Sequence, residues 1–239
     1  MQLASMHLSD AQTELAQLAE PADAKNLARF FKTGPGDYGE GDQFRGIRVP
    51  VVRKLVRRYR DLPLADVTAL LASPWHEDRL LALLILIEQY RRGDAAARQT
   101  IFDLYLAHTD RINNWDLVDL SAEHIVGAHL FGGDPSLLTR LARSASLWER
   151  RIAMLATFHF IRQGSFDEPL RLADLLLHDT HDLIHKAVGW MLREVGNRDM
   201  AAEEAFLRSR YRTMPRTMLR YAIEKFPPAR RQAYLAGEI

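Results

Sequence analysis

One short segment of the chain places an indole and a carboxylate on the same side of a predicted helix. It reads Asn113-Asn114-Trp115-Asp116-Leu117-Val118-Asp119-Leu120. A helix that begins near Asn114, a residue type favoured at the N-cap, puts Trp115 and Asp119 four residues apart on one face, while Leu117 and Val118 point towards a core. A carboxylate beside an electron-rich indole favours a cationic ligand. The simpler interpretation is a salt-bridged aspartate and a tryptophan that anchors the core.

Two later segments carry comparable residues. Leu147-Trp148-Glu149-Arg150-Arg151 opens an apolar helix with adjacent arginines, and the segment 184–194 places Lys186, Trp190 and Arg193 at i, i+4 and i+7. Equivalent positions in consecutive helical repeats lie side by side on a concave wall. The sequence therefore predicts that four residues, Trp115, Asp119, Arg151 and Trp190, converge on this wall.

Helical periodicity predicts the elements that hold these residues. Apolar residues recur at i, i+3, i+4 and i+7, as at Leu80, Leu83, Leu84 and Ile87, whereas period-two alternation is scarce. Glycine and proline mark the predicted helix ends. The breaks fall at 34–41, Leu62-Pro63, Ser73-Pro74, Gly93, Gly132-Gly133-Asp134-Pro135, Gly164, Gly196 and Pro227-Pro228.

A weak internal repeat favours stacked helix pairs. Basic residues that introduce an apolar helix lie at Arg79, Arg151, Lys186 and Arg220, with separations of 72, 35 and 34, and the midpoint of the first interval is Trp115. This period is close to that of HEAT and armadillo repeats. We predict an all-α fold, a curved solenoid of HEAT-like helix pairs with a concave basic cleft. The chain forms a single domain, 1–239, with N-terminal helices and a glycine-rich loop in 1–45 and the repeat array over about 46–239. An irregular helical bundle is the alternative.

The net charge of +1 conceals two strongly basic windows. Residues 45–60 contain seven basic and no acidic residues, and residues 208–231 contain eight basic residues and one glutamate. Together the windows carry +14, which leaves −13 for the rest of the chain. This segregation is typical of a face that binds a polyanion such as DNA, although solvated helix faces account for it equally well. The candidate phosphate contacts in these windows are Arg45, Arg48, Arg53, Arg57 and Arg216.

Composition excludes several other functions. The chain has no cysteine, which excludes disulfides, a Cys-ligated zinc and a cysteine nucleophile. Residues 1–18 lack a signal-peptide pattern, and the longest apolar run, Leu80–Ile87, is too short to span a bilayer. We therefore expect a soluble, cytoplasmic protein that does not contact membranes.

No cofactor or metal is expected. The nine histidines show no metal-ligand spacing beyond His181 and His185, so surface or helix-capping roles are the default for them. The glycine-rich loop (residues 34–42) lacks the Gly-Lys-Ser/Thr ending of a phosphate-binding loop. We predict a flexible loop that leads into the basic window.

The segments that contain the candidate site resemble the AlkD-type DNA alkylation repair family, and the matches follow family order over most of the chain. They are Trp115-Asp116-Leu117-Val118-Asp119, Trp148-Glu149-Arg150-Arg151, residues 186–194, Phe44-Arg45-Gly46-Ile47-Arg48-Val49-Pro50 and residues 214–222. The resemblance implies a HEAT-like DNA glycosylase that removes 3-methyladenine and 7-methylguanine from duplex DNA. It further implies an open cleft without a deep base pocket.

The resemblance also implies roles for individual residues. Asp119 matches the catalytic carboxylate, Arg151 the cleft arginine, and Trp115 and Trp190 the aromatic walls. Arg193 and the segment 48–53 match places that touch the DNA backbone, and Lys186 shares the face of Arg193. We expect alkylated duplex DNA as the partner of a monomer with no obligate protein partner. The alternatives are a non-catalytic protein that binds distorted or branched DNA and a scaffold that binds another protein.

Overall fold

The computed structural model describes residues 6–239, which form two compact helical units. The first unit ends at Ser121 and the second begins at Ala122. Helix accounts for 69% of the chain, and the described residues contain no strand. The prediction of an all-α fold is therefore confirmed. None of the helices within residues 6–239 combines the length and apolar character needed to cross a membrane.

The first unit is built around one helix that is buried on every side. Every residue from 76 to 87 in this helix, α5 (His76–Arg92), is buried. Its apolar run, Leu80–Ile87, leaves no polar face for solvent. It packs against α3, α4, α6 and α7. The helices of this unit are α1 (Leu8–Gln17), α2 (Pro21–Phe30), α3 (Val49–Tyr59), α4 (Leu64–Leu71), α5 (His76–Arg92), α6 (Ala95–Ala107) and α7 (Trp115–Ser121), with a 3₁₀ turn at Thr109–Arg111.

The second unit has two central helices, α10 and α12, which pack against each other. A π-helical turn, Glu123–Gly127, opens this unit. Gly189 of α12 lies against the backbone of α14, where any Cβ would collide with the carbonyl of Met218. The helices are α8 (Ala128–Leu130), α9 (Ser136–Ala142), α10 (Leu147–Arg162), α11 (Asp167–Leu175), α12 (Asp182–Gly196), α13 (Met200–Arg208), α14 (Arg216–Ala222) and α15 (Pro228–Ala236), with a 3₁₀ turn at Ile223–Lys225.

The helix boundaries follow the local signals in the sequence. Gly93 is the C-cap of α5, and Gly164, with a φ of 75°, follows the end of α10. The Asn114 side chain accepts a hydrogen bond of 2.8 Å from the backbone N–H of Trp115, the first residue of α7. These predicted breaks and the predicted helix start near Asn114 are confirmed.

The predicted register of the repeat is wrong at one position. Trp115 is the first residue of α7, and Asp119 is the fifth. The basic residues that defined the period lie at the fourth or fifth position of their helices, at Arg79, Arg151, Lys186 and Arg220. The residue of α7 that corresponds to them by position in the helix is therefore Asp119, and Trp115 lies one turn earlier.

A buried carboxyl group lies in the first turn of α13. Glu203 is 1% exposed, and its Oε1 has no hydrogen-bond partner within residues 6–239. Its side chain occupies the space where Gly196 lacks a Cβ. Burial, together with the neighbouring charge of Glu204, raises the pKa of Glu203 to about 9. The folded protein thus holds Glu203 as a neutral acid at pH 7.

This acid predicts a pH-dependent stability. Because the folded pKa is above that of the unfolded chain, stability from this group is fully present below the unfolded pKa and is lost as pH rises towards 9. Glu203→Gln cannot ionise and so avoids this loss; relative to the difference at pH 5, its free energy of unfolding at pH 8 should exceed that of wild type by about 1 kcal/mol or more. Urea unfolding of both proteins at pH 5 and pH 8 measures the difference. An equal pH slope in both proteins would contradict it.

Candidate active site

Trp115 lies in a cluster of aromatic rings in the first unit. Its indole stacks on Phe31 with 5.1 Å between centroids and meets the edge of Phe30 at 5.8 Å. Phe31 in turn stacks on Phe44 at 5.1 Å. Phe30 is 62% exposed, so this cluster presents an aromatic surface to solvent rather than a closed core.

The aromatic cluster lines a cavity of about 380 Å³. The rings of Phe30, Phe31, Phe44 and Trp115 form its aromatic wall, and Arg48 lies on its lining. The remaining lining residues are Leu27, Ile47, Val49, Pro50, His76, Glu77, Leu80 and Asp116. Of these four rings, only Trp115 belongs to the site that the sequence predicts.

A buried histidine joins this cavity to a set of carboxylates. Each ring nitrogen of His76 lies 2.7 Å from a carboxylate oxygen, one on Asp42 and one on Asp116. The imidazole also stacks on Phe44, with 4.4 Å between centroids. Burial alone would lower the pKa of His76, but the two carboxylates raise it to about 9. A surface or capping role, the default for histidines here, is therefore wrong for His76, whereas His181 does cap α12.

The same carboxylates organise the surrounding chain. Asp42 accepts a second bond of 2.8 Å from Arg79, which also reaches the side chain of Asn113. Although burial would raise the pKa of Asp42, the bonds and charges of His76 and Arg79 hold it below its usual value. Glu77 accepts backbone N–H bonds from residues 45, 46 and 47. A flexible loop is thus the wrong description of the end of the glycine-rich loop, which Asp42 fixes in place.

Asp119 lies one turn after Trp115 on α7, and its side chain is half-buried. Burial raises the pKa of the Tyr105 phenol, and the Asp119 carboxylate raises it further, which places the carboxylate within electrostatic reach of that ring. The Tyr105 hydroxyl lies 2.9 Å from Ser121 at the end of α7. The helix therefore holds Trp115 and Asp119 in one local structure, as the spacing predicted.

The other two predicted catalytic residues lie in the second unit. Arg151 is buried and donates a hydrogen bond to the carbonyl of Leu183. Trp190 meets the edge of Phe158 at 5.8 Å and donates from Nε1 to Glu194 at 3.3 Å. The convergence of these residues with Trp115 and Asp119 on one wall stays a prediction.

Most of the predicted phosphate-binding residues bind partners within the protein. Arg53 and Arg57 are the exceptions: both are exposed on α3 and form no ion pair or hydrogen bond with other residues of the described chain. The contacts of the others are Arg45 with Asp78, Arg48 with Asp23, Lys186 with Asp182, Arg193 with Glu224, and Arg216 with the carbonyl of Leu235.

The comparisons with known proteins identify the family and the fold of the chain. The described residues define an all-helical protein whose first unit carries an aromatic cavity next to an aspartate-bearing helix. The chain belongs to the DNA alkylation repair enzyme family, whose profile matches residues 11–226. Membership of this family supports a role in DNA repair.

One solved structure extends the comparison to the fold. It is a predicted DNA alkylation repair enzyme from Enterococcus faecalis, with 15% sequence identity and a TM-score of 0.70 over 88% of this chain and 97% of that one. At this identity the likeness shows the fold alone. No curated protein matches the chain.

The charged histidine predicts a second pH effect on stability. His76 has a folded pKa of about 9, above that of an unfolded histidine, so its contribution is complete below the unfolded value of about 6.5 and is lost as pH rises towards 9. His76→Gln should be less stable than wild type at pH 6, and the difference should shrink by pH 9. Thermal unfolding across this range measures it. A difference that is constant with pH would show that folding does not raise the pKa of His76.

Proposed function

We propose that this protein is a monofunctional DNA glycosylase that hydrolyses the N-glycosidic bond of cationic alkylated purines in duplex DNA. The substrates are 3-methyladenine and 7-methylguanine. The observation that carries the proposal is the placement of Asp119 on α7: it is half-buried, one turn from Trp115 and its aromatic cavity. The family match over residues 11–226 supplies DNA as the substrate.

The chemistry requires an anion close to the sugar. As the base departs, the deoxyribose acquires the character of an oxocarbenium ion, as in glycoside hydrolysis. A carboxylate about 4 Å from that charge stabilises it by about 4 kcal/mol at an effective dielectric of about 20. This corresponds to a rate increase on the order of a thousandfold, from which desolvation of the carboxylate subtracts. Asp119 supplies this charge, or it orients the attacking water.

The leaving group does not need a proton donor. A purine alkylated at N3 or N7 already carries a positive charge and leaves as a neutral base, so the site requires no general acid. Arg151 could not act as one, because a guanidinium does not release its proton in a protein. Arg151 is the candidate for binding a DNA phosphate, for which its planar set of donors is suited, although it would have to become accessible, because it is buried and donates to the carbonyl of Leu183.

Aromatic faces favour the same substrate. The face of an indole attracts a nearby cation by about 0.5 to 2 kcal/mol, so Trp115 and Trp190 would favour the cationic base or the developing sugar cation. Phe30 extends this surface beside Trp115, because its ring is mostly exposed. Cationic purines would therefore be selected over neutral ones by charge rather than by the pattern of base-edge hydrogen bonds.

The DNA backbone would be held mainly by α3. Its buried residues are Val52, Leu55 and Tyr59, which leaves the opposite face to Arg53 and Arg57. An arginine that already has a carboxylate partner must give up that interaction to bind phosphate. Arg53 and Arg57 avoid this cost, and their contacts with phosphates would be independent of DNA sequence.

The carboxylate is tested by Asp119→Asn. The variant should lose most of the rate of 7-methylguanine or 3-methyladenine release from methylated duplex DNA, by up to about a thousandfold. It should still bind undamaged duplex, because the amide keeps the size of the side chain. Single-turnover release and fluorescence anisotropy measure the two properties. Asp103→Asn, at an exposed acid on α6, is the control and should release bases at the wild-type rate.

Two results would change the proposed function. If Asp119→Asn releases bases as fast as wild type, Asp119 takes no part in the reaction. Tight binding by the wild-type protein without release of any alkylated base would instead favour the non-catalytic DNA-binding alternative.

The role of α3 is tested by comparing two neighbouring arginines. Arg57→Gln should lower the slope of log K against log salt concentration by about 1, since one phosphate contact is lost. Arg58→Gln is the matched control, because Arg58 is similarly exposed but already pairs with Glu14, and it should change the slope less. DNA binding titrations at four salt concentrations give both slopes. Equal slopes for the two variants would exclude a specific role for Arg57.

A further inference from the structure

The glycine-rich loop has no role in the proposed reaction, yet its last residue is bonded beneath the cavity. We propose that the bridge formed by Asp42, His76 and Asp116 positions α7, and through α7 the side chains of Trp115 and Asp119. His76 and Asp42 are then positioning residues for base release, and they do not touch the substrate. This inference rests on the proposed function only for the expected change in the rate of base release.

The geometry of the bridge requires two protons between the imidazole and its two carboxylate partners. A neutral imidazole has one N–H donor, whereas His76 has a carboxylate oxygen 2.7 Å from each ring nitrogen. Both contacts are hydrogen bonds only when both nitrogens carry protons or when one carboxylate does. His76 and Asp42 are buried, with side chains 3% exposed. Two ionised acids around one imidazolium form short charge-assisted bonds that hold all three groups in a fixed geometry.

The bridge joins segments that are distant in sequence. It connects the end of the glycine-rich loop to the first turn of α5 and the first turn of α7, across separations of 34 and 40 residues. The backbone reinforces the first connection, since the N–H of His76 donates to the carbonyl of Gln43 at 2.7 Å. Asp42 also binds Arg79, which reaches Asn113 just before α7.

Hydrogen bonds to other segments hold both ends of α7, which has seven residues. Asp116, in its first turn, holds one end through His76, and Ser121 holds the other end through the Tyr105 hydroxyl. Trp115 precedes Asp116 and Asp119 lies one turn after Trp115. A shift of Asp116 therefore moves both side chains.

The bridge also contacts the aromatic wall of the cavity. His76 stacks on Phe44 and lies 5.1 Å from the ring of Phe31, which stacks on Trp115. The bridge thus fixes the back of the aromatic wall as well as the start of α7. Loss of one carboxylate changes the charge of the bridge while leaving the volume of its side chains nearly unchanged.

The experiment uses Asp42→Asn in protein labelled with 5-fluorotryptophan. Trp115→Phe assigns the Trp115 fluorine resonance. We expect Asp42→Asn to shift or broaden the Trp115 resonance while those of Trp148 and Trp190 stay in place. Single-turnover base release should fall about tenfold or more, because small misplacement of reacting groups is costly. The Kd for undamaged duplex should change by less than about twofold.

A double variant tests whether the two carboxylates act as a unit. Asp116→Asn should reduce the rate to a similar degree, and the Asp42→Asn/Asp116→Asn double variant should fall little below the lower of the two single variants. If the fold reductions in rate of the two single variants multiply in the double variant, the two carboxylates act independently and the proposed bridge is overturned.

The matched control is Glu14→Gln. Glu14 is a partly buried carboxylate in the same unit, bonded to Arg58 and Tyr59. Loss of the Glu14 carboxylate should reduce stability without shifting the Trp115 resonance or lowering the rate of base release. If Glu14→Gln reproduces both effects of Asp42→Asn, the bridge has no specific role and the proposal fails.

Two further outcomes separate this proposal from the proposed function. An unchanged Trp115 resonance in folded Asp42→Asn overturns the positioning role whatever the activity. If the wild-type protein releases no base, the proposed function fails. The Trp115 resonance of Asp42→Asn then still shows whether the bridge positions α7. Should Asp42→Asn not fold, Asp42→Glu keeps the charge but displaces it, and the same resonance must move for the proposal to hold.

Discussion

The pairing of buried charges in the first unit determines how its segments meet. An ionised group that leaves water is costly unless it is matched by an opposite charge and hydrogen bonds. His76 meets this requirement with Asp42 and Asp116, Arg79 meets it with Asp42, and the Glu77 carboxylate is bonded to three backbone N–H groups. The central helix can therefore be buried on every side although its first turn is almost entirely charged.

The aromatic wall and the charge cluster have complementary effects on a ligand. The rings provide apolar contact area, and the cavity that they line is accessible to solvent through Phe30 and the start of α3. The charged side chains behind the rings are bonded mainly to one another. This combination suits recognition by stacking and charge. The family to which the chain belongs is described as DNA alkylation repair enzymes.

Local signals made much of the fold and part of the site predictable. Glycine, proline and the Asn114 cap mark helix ends within a few residues, and four-residue spacing correctly placed Trp115 and Asp119 on one helix. The partners of His76 lie 34 and 40 residues away, and no local pattern indicates such pairing. Phe30 and Phe31 were missed for the same reason. The repeat register was wrong at Trp115 because α7 begins at that residue, whereas the other repeat helices begin three or four residues before their marker.

The π-helical turn at Glu123–Gly127 has a consequence for comparing relatives. The Gly127 N–H bonds to the carbonyl of Ala122, five residues earlier, at 2.9 Å, so this turn holds one residue more than an α-helical turn. A relative with an ordinary helix at this point would align with a one-residue gap inside the turn. If the gap is placed elsewhere, the residues between it and the turn are matched one position out of register. Deleting one residue here would also rotate the next helical residues about the helix axis by about 100°.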